Sequence, residues 1–144
     1  MTTVAPARIS HVALTVSDFG TSVPWYEQVF GIGYVMDVPH EGGNAKLLAD
    51  PAMELVLVLH QHDAHDGELF RESRTGLDHV GLAVPTREDL VAWQEHLEGH
   101  GVVRASEAAK PLTQSPIADE AYGSVLVFRD PDNIQLELFC LPAS

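Results

Sequence analysis

The chain repeats itself, and this limits its fold more than any other feature. Residues 9–16, Ile-Ser-His-Val-Ala-Leu-Thr-Val, return 68 residues later as 77–84, Leu-Asp-His-Val-Gly-Leu-Ala-Val. The offset holds further on: Trp25 maps onto Trp93, Glu27 onto Glu95, and a glycine (Gly31, Gly99) closes each following stretch. A repeat of this length points to one supersecondary unit used twice. Each copy opens with alternating side chains, the period of a half-buried strand. His11, Ala13 and Thr15 fall on one face, with Val12, Leu14 and Val16 on the other. His79, Gly81 and Ala83 are the second copy's counterparts.

Helices are expected over about 19–30 and 87–99, with Ser17-Asp18 and Thr86 as N-caps. Pro24 is tolerable only near a helix start, so the first helix is expected to begin in earnest around Ser22 or Val23. Three strands then follow in each half, at about 33–38, 44–49 and 53–60, and at about 102–106, 123–129 and 134–140. Asp50-Pro51 and Asp130-Pro131 mark the last turns. The result is an α+β chain of two βαβββ modules, about 9–60 and 77–140, within one domain spanning 1–144. A polar linker occupies 61–76. A long loop, 107–122, sits inside the second module, and loops of that length often act as lids.

With 144 residues and 45% apolar side chains there is enough material for a core. The formal charge of −13 excludes a basic nucleic-acid-binding surface and disfavours anionic membranes. No run of apolar residues is long enough to span a membrane. Met1 to Arg8 does not read as a secretory signal. The single cysteine, Cys140, permits no intrachain disulfide, and a reducing cytoplasm is the simplest compartment.

Each module offers one histidine on its first strand and one glutamate on its last: His11 and Glu54, His79 and Glu137. Approximate twofold symmetry between the modules would bring equivalent strands together and converge the four side chains. Two imidazoles and two carboxylates suit a divalent transition metal, and the carboxylates cancel its charge. Along 134–140, Gln135, Glu137 and Phe139 share one face, with Leu136, Leu138 and Cys140 opposite. A carboxylate within such an apolar strand is costly unless paired, solvated or metal-bound. Glu54 shares its face with Val56, Val58 and His60.

On these residues the chain resembles the vicinal oxygen chelate superfamily, which includes glyoxalase I, methylmalonyl-CoA epimerase, extradiol dioxygenases and fosfomycin-resistance proteins. The matching motifs are His11-Val-Ala-Leu-Thr-Val, His79-Val-Gly-Leu-Ala-Val and Phe128-Arg-Asp-Pro-Asp-Asn-Ile-Gln-Leu-Glu137-Leu, and the resemblance covers about 9 to 140. It implies a curved, open, barrel-like sheet of eight strands with the helices outside. It also implies a divalent metal (nickel, cobalt, manganese, iron or zinc) on His11, His79 and Glu137, with Glu54 at the fourth ligand position of glyoxalase I-like members. A small-molecule substrate and a homodimer are further expectations, with the site built within one chain or shared between two copies.

The resemblance implies isomerase or lyase chemistry first. The metal would bind two neighbouring substrate oxygens, and Glu137 or Glu54 would take the proton alpha to a carbonyl. A dioxygenase with iron on His11, His79 and Glu137 is the alternative, for which Glu54 would be a liability. A third reading is a resistance protein that binds a small molecule without turnover.

Other residues have plainer readings. His60, His62 and His65 read as part of a solvated loop, although His60 keeps the inward parity of Glu54. His96 and His100 read as surface. Trp25 and Trp93 read as helix-to-sheet core, and Cys140 as buried and inert. Tyr122, Phe139 and residues 111–118 are candidate pocket residues.

Overall fold

The computed structural model describes all of residues 1–144 and divides into two compact units, residues 1–65 and 66–144. In the first unit the order is β1 (Val12–Thr15), α1 (Phe19–Phe30), β2 (Gly33–His40), β3 (Gly43–Ala49) and β4 (Val56–His62). In the second it is β5 (Val80–Ala83), α2 (Arg87–Gly99), β6 (Val103–Arg104), β7 (Thr113–Gln114), β8 (Ala118–Glu120), β9 (Gly123–Arg129) and β10 (Gln135–Cys140). The expected βαβββ plan is present in each. The segment 107–122 differs from expectation: it is not a plain loop but carries β7 and β8, which both pair with β9.

Each unit has one open sheet. The first runs β1-β4-β3-β2 and the second β5-β10-β9-β7-β6, with β8 also on β9. In both, the first strand lies parallel to the last, β1 on β4 and β5 on β10, and the helix is the crossover. Strand alternation sends one row of side chains beneath the helix: Leu14, Val16, Leu48, Leu57 and Leu59 in the first unit, and Val80, Leu126, Phe128, Leu136, Leu138 and Cys140 in the second, all buried. The opposite row carries Ala13, Thr15, Val58 and His60 in one unit, and Gly81, Ala83, Glu137 and Phe139 in the other.

The helices lie where their caps put them. Asp18 accepts from the Gly20 amide, and Gly31 closes α1 in the left-handed region at φ 65°. Helix α1 therefore starts at Phe19, earlier than expected, and Pro24 stands inside it. The cap stabilises the first turn ahead of the proline, which removes only one backbone donor. Thr86 and Asp89 form a capping box on α2.

The repeat extends into the core. Ser22 and Val29 of α1 are buried, and so are Leu90 and Leu97 of α2, their equivalents at the offset of 68. The two tryptophans are only half-buried; Tyr26 is the large fully buried side chain of α1.

Candidate metal centre

The second unit builds its half of the expected site from three adjoining residues. His79 precedes β5, and Glu137 lies on β10 opposite Gly81. The His79 Nε2 to Glu137 Oε2 distance is 3.6 Å. Gly81 puts no side chain beside the carboxylate; a Cβ there would stand 3.9 Å from Glu137 Oε1. The other imidazole nitrogen, Nδ1, lies 2.7 Å from Asp78 Oδ1. Since a carboxylate only accepts, Nδ1 carries the hydrogen, and Nε2 is the ring nitrogen that faces Glu137. A ring nitrogen and a carboxylate oxygen thus face each other at a spacing into which a cation fits. An imidazole held from behind and a carboxylate are donors of the kind that suit a divalent metal.

The clamp has its own support. Gln135 donates from Nε2 to Asp78 Oδ1 at 3.1 Å and accepts at Oε1 from Arg129 Nη2 at 3.2 Å. Arg129 is buried and holds both Glu72 oxygens at 3.0 Å, together with the Ala108 and Asn133 carbonyls. Its guanidinium holds the Glu72 carboxyl down at about 2, well below the usual range. A continuous polar chain thus runs Glu72–Arg129–Gln135–Asp78–His79. This support behind His79 is not evident from the repeat. Its visible signal was polar Gln135 on the same face as Glu137.

In the first unit His11 precedes β1 and is exposed, with Nδ1 3.0 Å from Ser10 Oγ. Ser10 is the repeat equivalent of Asp78, so in both units the residue before the histidine holds Nδ1.

Glu54 does not occupy the position equivalent to Glu137, and that expectation is corrected. Strand β4 begins at Val56, and Glu54 is exposed in the turn before it. The registers give the reason. Ala13 pairs with Val58, and its repeat equivalent Gly81 pairs with Glu137, so Val58 holds the place of Glu137. Glu54 lies four residues before Val58, outside the strand.

Three of the four positions come from spacing, since Glu137 follows Asp130 by seven residues and Glu54 follows Asp50 by four; the turns supply the fourth. Asp50 and Asp130 each cap their own turn and accept the amide hydrogens that follow. Met53 and Asn133 each sit in the left-handed region. Asp130 bonds back to Ile134, whereas Asp50 bonds to Leu55, one residue further on. Glu54 is the additional residue, and it stays in the turn.

Three further histidines meet on the open face of the first unit. Strand β2 runs on to His40, beyond the expected end at 38, while His60 and His62 lie on β4 and not in a loop. Burial, reinforced by His40, His62 and His11, holds the His60 imidazole below its ordinary basicity. In the second unit, the exposed Tyr122 ring stacks 6.3 Å from Phe139, two positions beyond Glu137 on the same face. No helix is long and apolar enough to cross a membrane.

Residues 8–138 match the model of the Glyoxalase/Bleomycin resistance protein/Dioxygenase superfamily. None of the curated proteins matches. Among solved structures, a glyoxylase/bleomycin resistance protein/dioxygenase domain from Frankia sp. EAN1pec is 29% identical, with 97% of this chain and 96% of that one covered at a TM-score of 0.82. A glyoxalase family protein from Enterococcus faecalis is 19% identical (92% and 96% covered, TM-score 0.69). The fosfomycin resistance protein FosX from Listeria monocytogenes, complexed with Mn(II) and sulfate, is 16% identical (96% and 95% covered, TM-score 0.65).

Proposed function

The chain belongs to the glyoxalase/bleomycin resistance protein/dioxygenase superfamily, and within it we propose a divalent-metal-dependent enzyme acting on a small oxygenated substrate, with His11, His79 and Glu137 as ligands. The observation that carries this reading is the His79–Glu137 pair, whose nitrogen and oxygen face each other at 3.6 Å while Asp78 holds the far side of the imidazole. The metal is expected to be manganese, iron, cobalt, nickel or zinc. The FosX structure with Mn(II) favours a divalent ion of this class.

When bound, the metal supplies Lewis acidity toward two neighbouring oxygens of the substrate. Asp78 accepts from His79 Nδ1 and so leaves Nε2 to face the metal, while the Ser10 hydroxyl, able to donate or accept, orients the His11 ring from Nδ1. Gly81 and Ala83 leave the face beside Glu137 open to a substrate, with Phe139 and Tyr122 along its edge. The reading requires ligands from both units, taken from one chain or from two copies. Tyr34, Val35, Met36 and Val38, exposed on edge strand β2, support a homodimer. A cytoplasmic location agrees with the single, buried cysteine.

Isomerase or lyase chemistry by proton transfer alpha to a carbonyl is the first assignment. The placement of Glu54 bears on the second. With three ligands in place of four, more coordination positions stay open, and this favours a dioxygenase-like oxidoreductase as the alternative. Elemental analysis of the purified protein and of His79→Ala tests the metal. The wild type is expected to hold a stoichiometric ion that the variant loses, and a metal content that does not depend on His79 would overturn the reading. Turnover of hemithioacetals, acyl-CoA epimers and catechols then separates the reaction classes.

A further inference from the structure

We propose a second divalent-cation site, on His40, His60 and His62 of the first unit, which takes zinc or a metal of similar preference. One ligand atom from each imidazole lies within 4.8 Å of the other two. The ring centroids are 5.1, 5.2 and 5.8 Å apart.

The backbone makes this convergence inevitable once the registers are set. His40 on β2 pairs with Gly43 on β3, and Gly43 pairs with His62 on β4, so His40 and His62 point to one side across a single row. His60 is two residues from His62 on the same strand and so shares its face. Gly43 stands between them and supplies the space: a Cβ there would collide with the Gln61 carbonyl and come within 2.9 Å of His40 Cε1. The two-residue hairpin at Glu41-Gly42, with Gly42 at φ 81°, fixes the β2–β3 register that puts His40 opposite Gly43.

The donor chemistry fits a metal. His40 Nδ1 lies 3.0 Å from the Glu41 carbonyl, so it carries the hydrogen and its Nε2 is left to face His60. That Nε2 lies 3.2 Å from His60 Nδ1. Two imidazole nitrogens on a tetrahedral zinc, each at about 2.0–2.1 Å, stand about 3.3 Å apart. The His40–His60 edge is therefore already at ligand spacing, and His62, being exposed, is free to close the remaining gap by side-chain rotation. The proton that His60 Nδ1 shares with His40 moves to His60 Nε2 when a cation takes its place, so the ring stays neutral. Three nitrogens leave one tetrahedral position for water or an anionic group.

This site shares no ligand with the centre proposed above. It stands at the level of Thr15 on β1, four residues from His11, so it does not depend on that reading. The two are separable by zinc titration of the full chain, with bound zinc counted after equilibrium dialysis. The wild type is expected to bind two equivalents and His79→Ala one. Adding His62→Ala or His40→Ala to His79→Ala is expected to leave none, with Kd for the lost ion raised at least about 100-fold. Far-UV circular dichroism of each variant keeps loss of folding apart from loss of ligand. His62 is exposed, so His62→Ala is the milder of the two.

If His79→Ala binds no zinc while the wild type binds one equivalent, the second site is refuted and the first stands. If the wild type binds one equivalent that survives His79→Ala but not His62→Ala, the second site stands and the first is refuted.

Discussion

Replacing Arg129 by Met removes the middle of the polar chain that runs from Glu72 to His79. The side chain is 5% exposed and donates five hydrogen bonds. Met keeps much of the apolar stem and loses every donor. The acceptors left behind differ in cost. Glu72 is 40% exposed and rehydrates readily. Asn133 and Gln135 are half-buried and partly rehydrate, whereas the Ala108 carbonyl belongs to a buried residue. An orphaned buried acceptor costs about 1–3 kcal/mol. With the lost charge-assisted bonds the total is about 3 kcal/mol, the lower end for removing one partner of a buried ion pair.

At a urea dependence of about 2 kcal/mol per molar, the unfolding midpoint is expected to fall by about 1.5 M near neutral pH. Glu72→Gln is milder, about 1 kcal/mol, because its exposed position screens the pair. The pH dependence gives a second check. The folded-state Glu72 carboxyl is lowered from 4.5 to about 2, so its contribution is complete above the unfolded value and is lost as pH falls toward about 2. Wild type and Glu72→Gln are therefore expected to converge between about pH 4.5 and about pH 2. An Arg129→Met midpoint within about 0.3 M of wild type, or a Glu72→Gln difference unchanged on acidification, would refute the reasoning.

Three other outcomes follow from the same structure. Asp78→Ala frees His79 Nδ1 and is expected to weaken metal binding about 10- to 100-fold, read by competition with a chromophoric chelator. Glu54→Gln, in an exposed turn, is expected to leave metal content unchanged and stability within about 0.5 kcal/mol; loss of metal in this variant would restore Glu54 as a ligand. Gly123→Ala is expected to cost more than about 2 kcal/mol in thermal unfolding. Gly123 holds φ 148°, and an added Cβ would meet the Cys140 carbonyl and lie 2.6 Å from the Phe139 ring.

The sequence by itself determined the duplicated βαβββ plan, since strand period, cap residues and a constant offset are local properties that need no partner. It also determined the inward parity of Glu137, because alternation along β10 leaves no other face for it. Register was the part it could not decide. Two Asp-Pro turns looked alike in sequence, and the single additional residue in the first became visible only when Ala13 was found against Val58 and Gly81 against Glu137. Glu54 follows its Asp by three residues fewer than Glu137 does, and the additional turn residue makes the difference four, so Val58 and not Glu54 stands where Glu137 stands in the other unit. His40 was hidden for a related reason. It lies 20 residues from His60, and only antiparallel pairing through Gly43 brings the two imidazoles together. Periodicity assigns a side chain to a face; which side chains meet on that face is decided by strand pairing across the sheet.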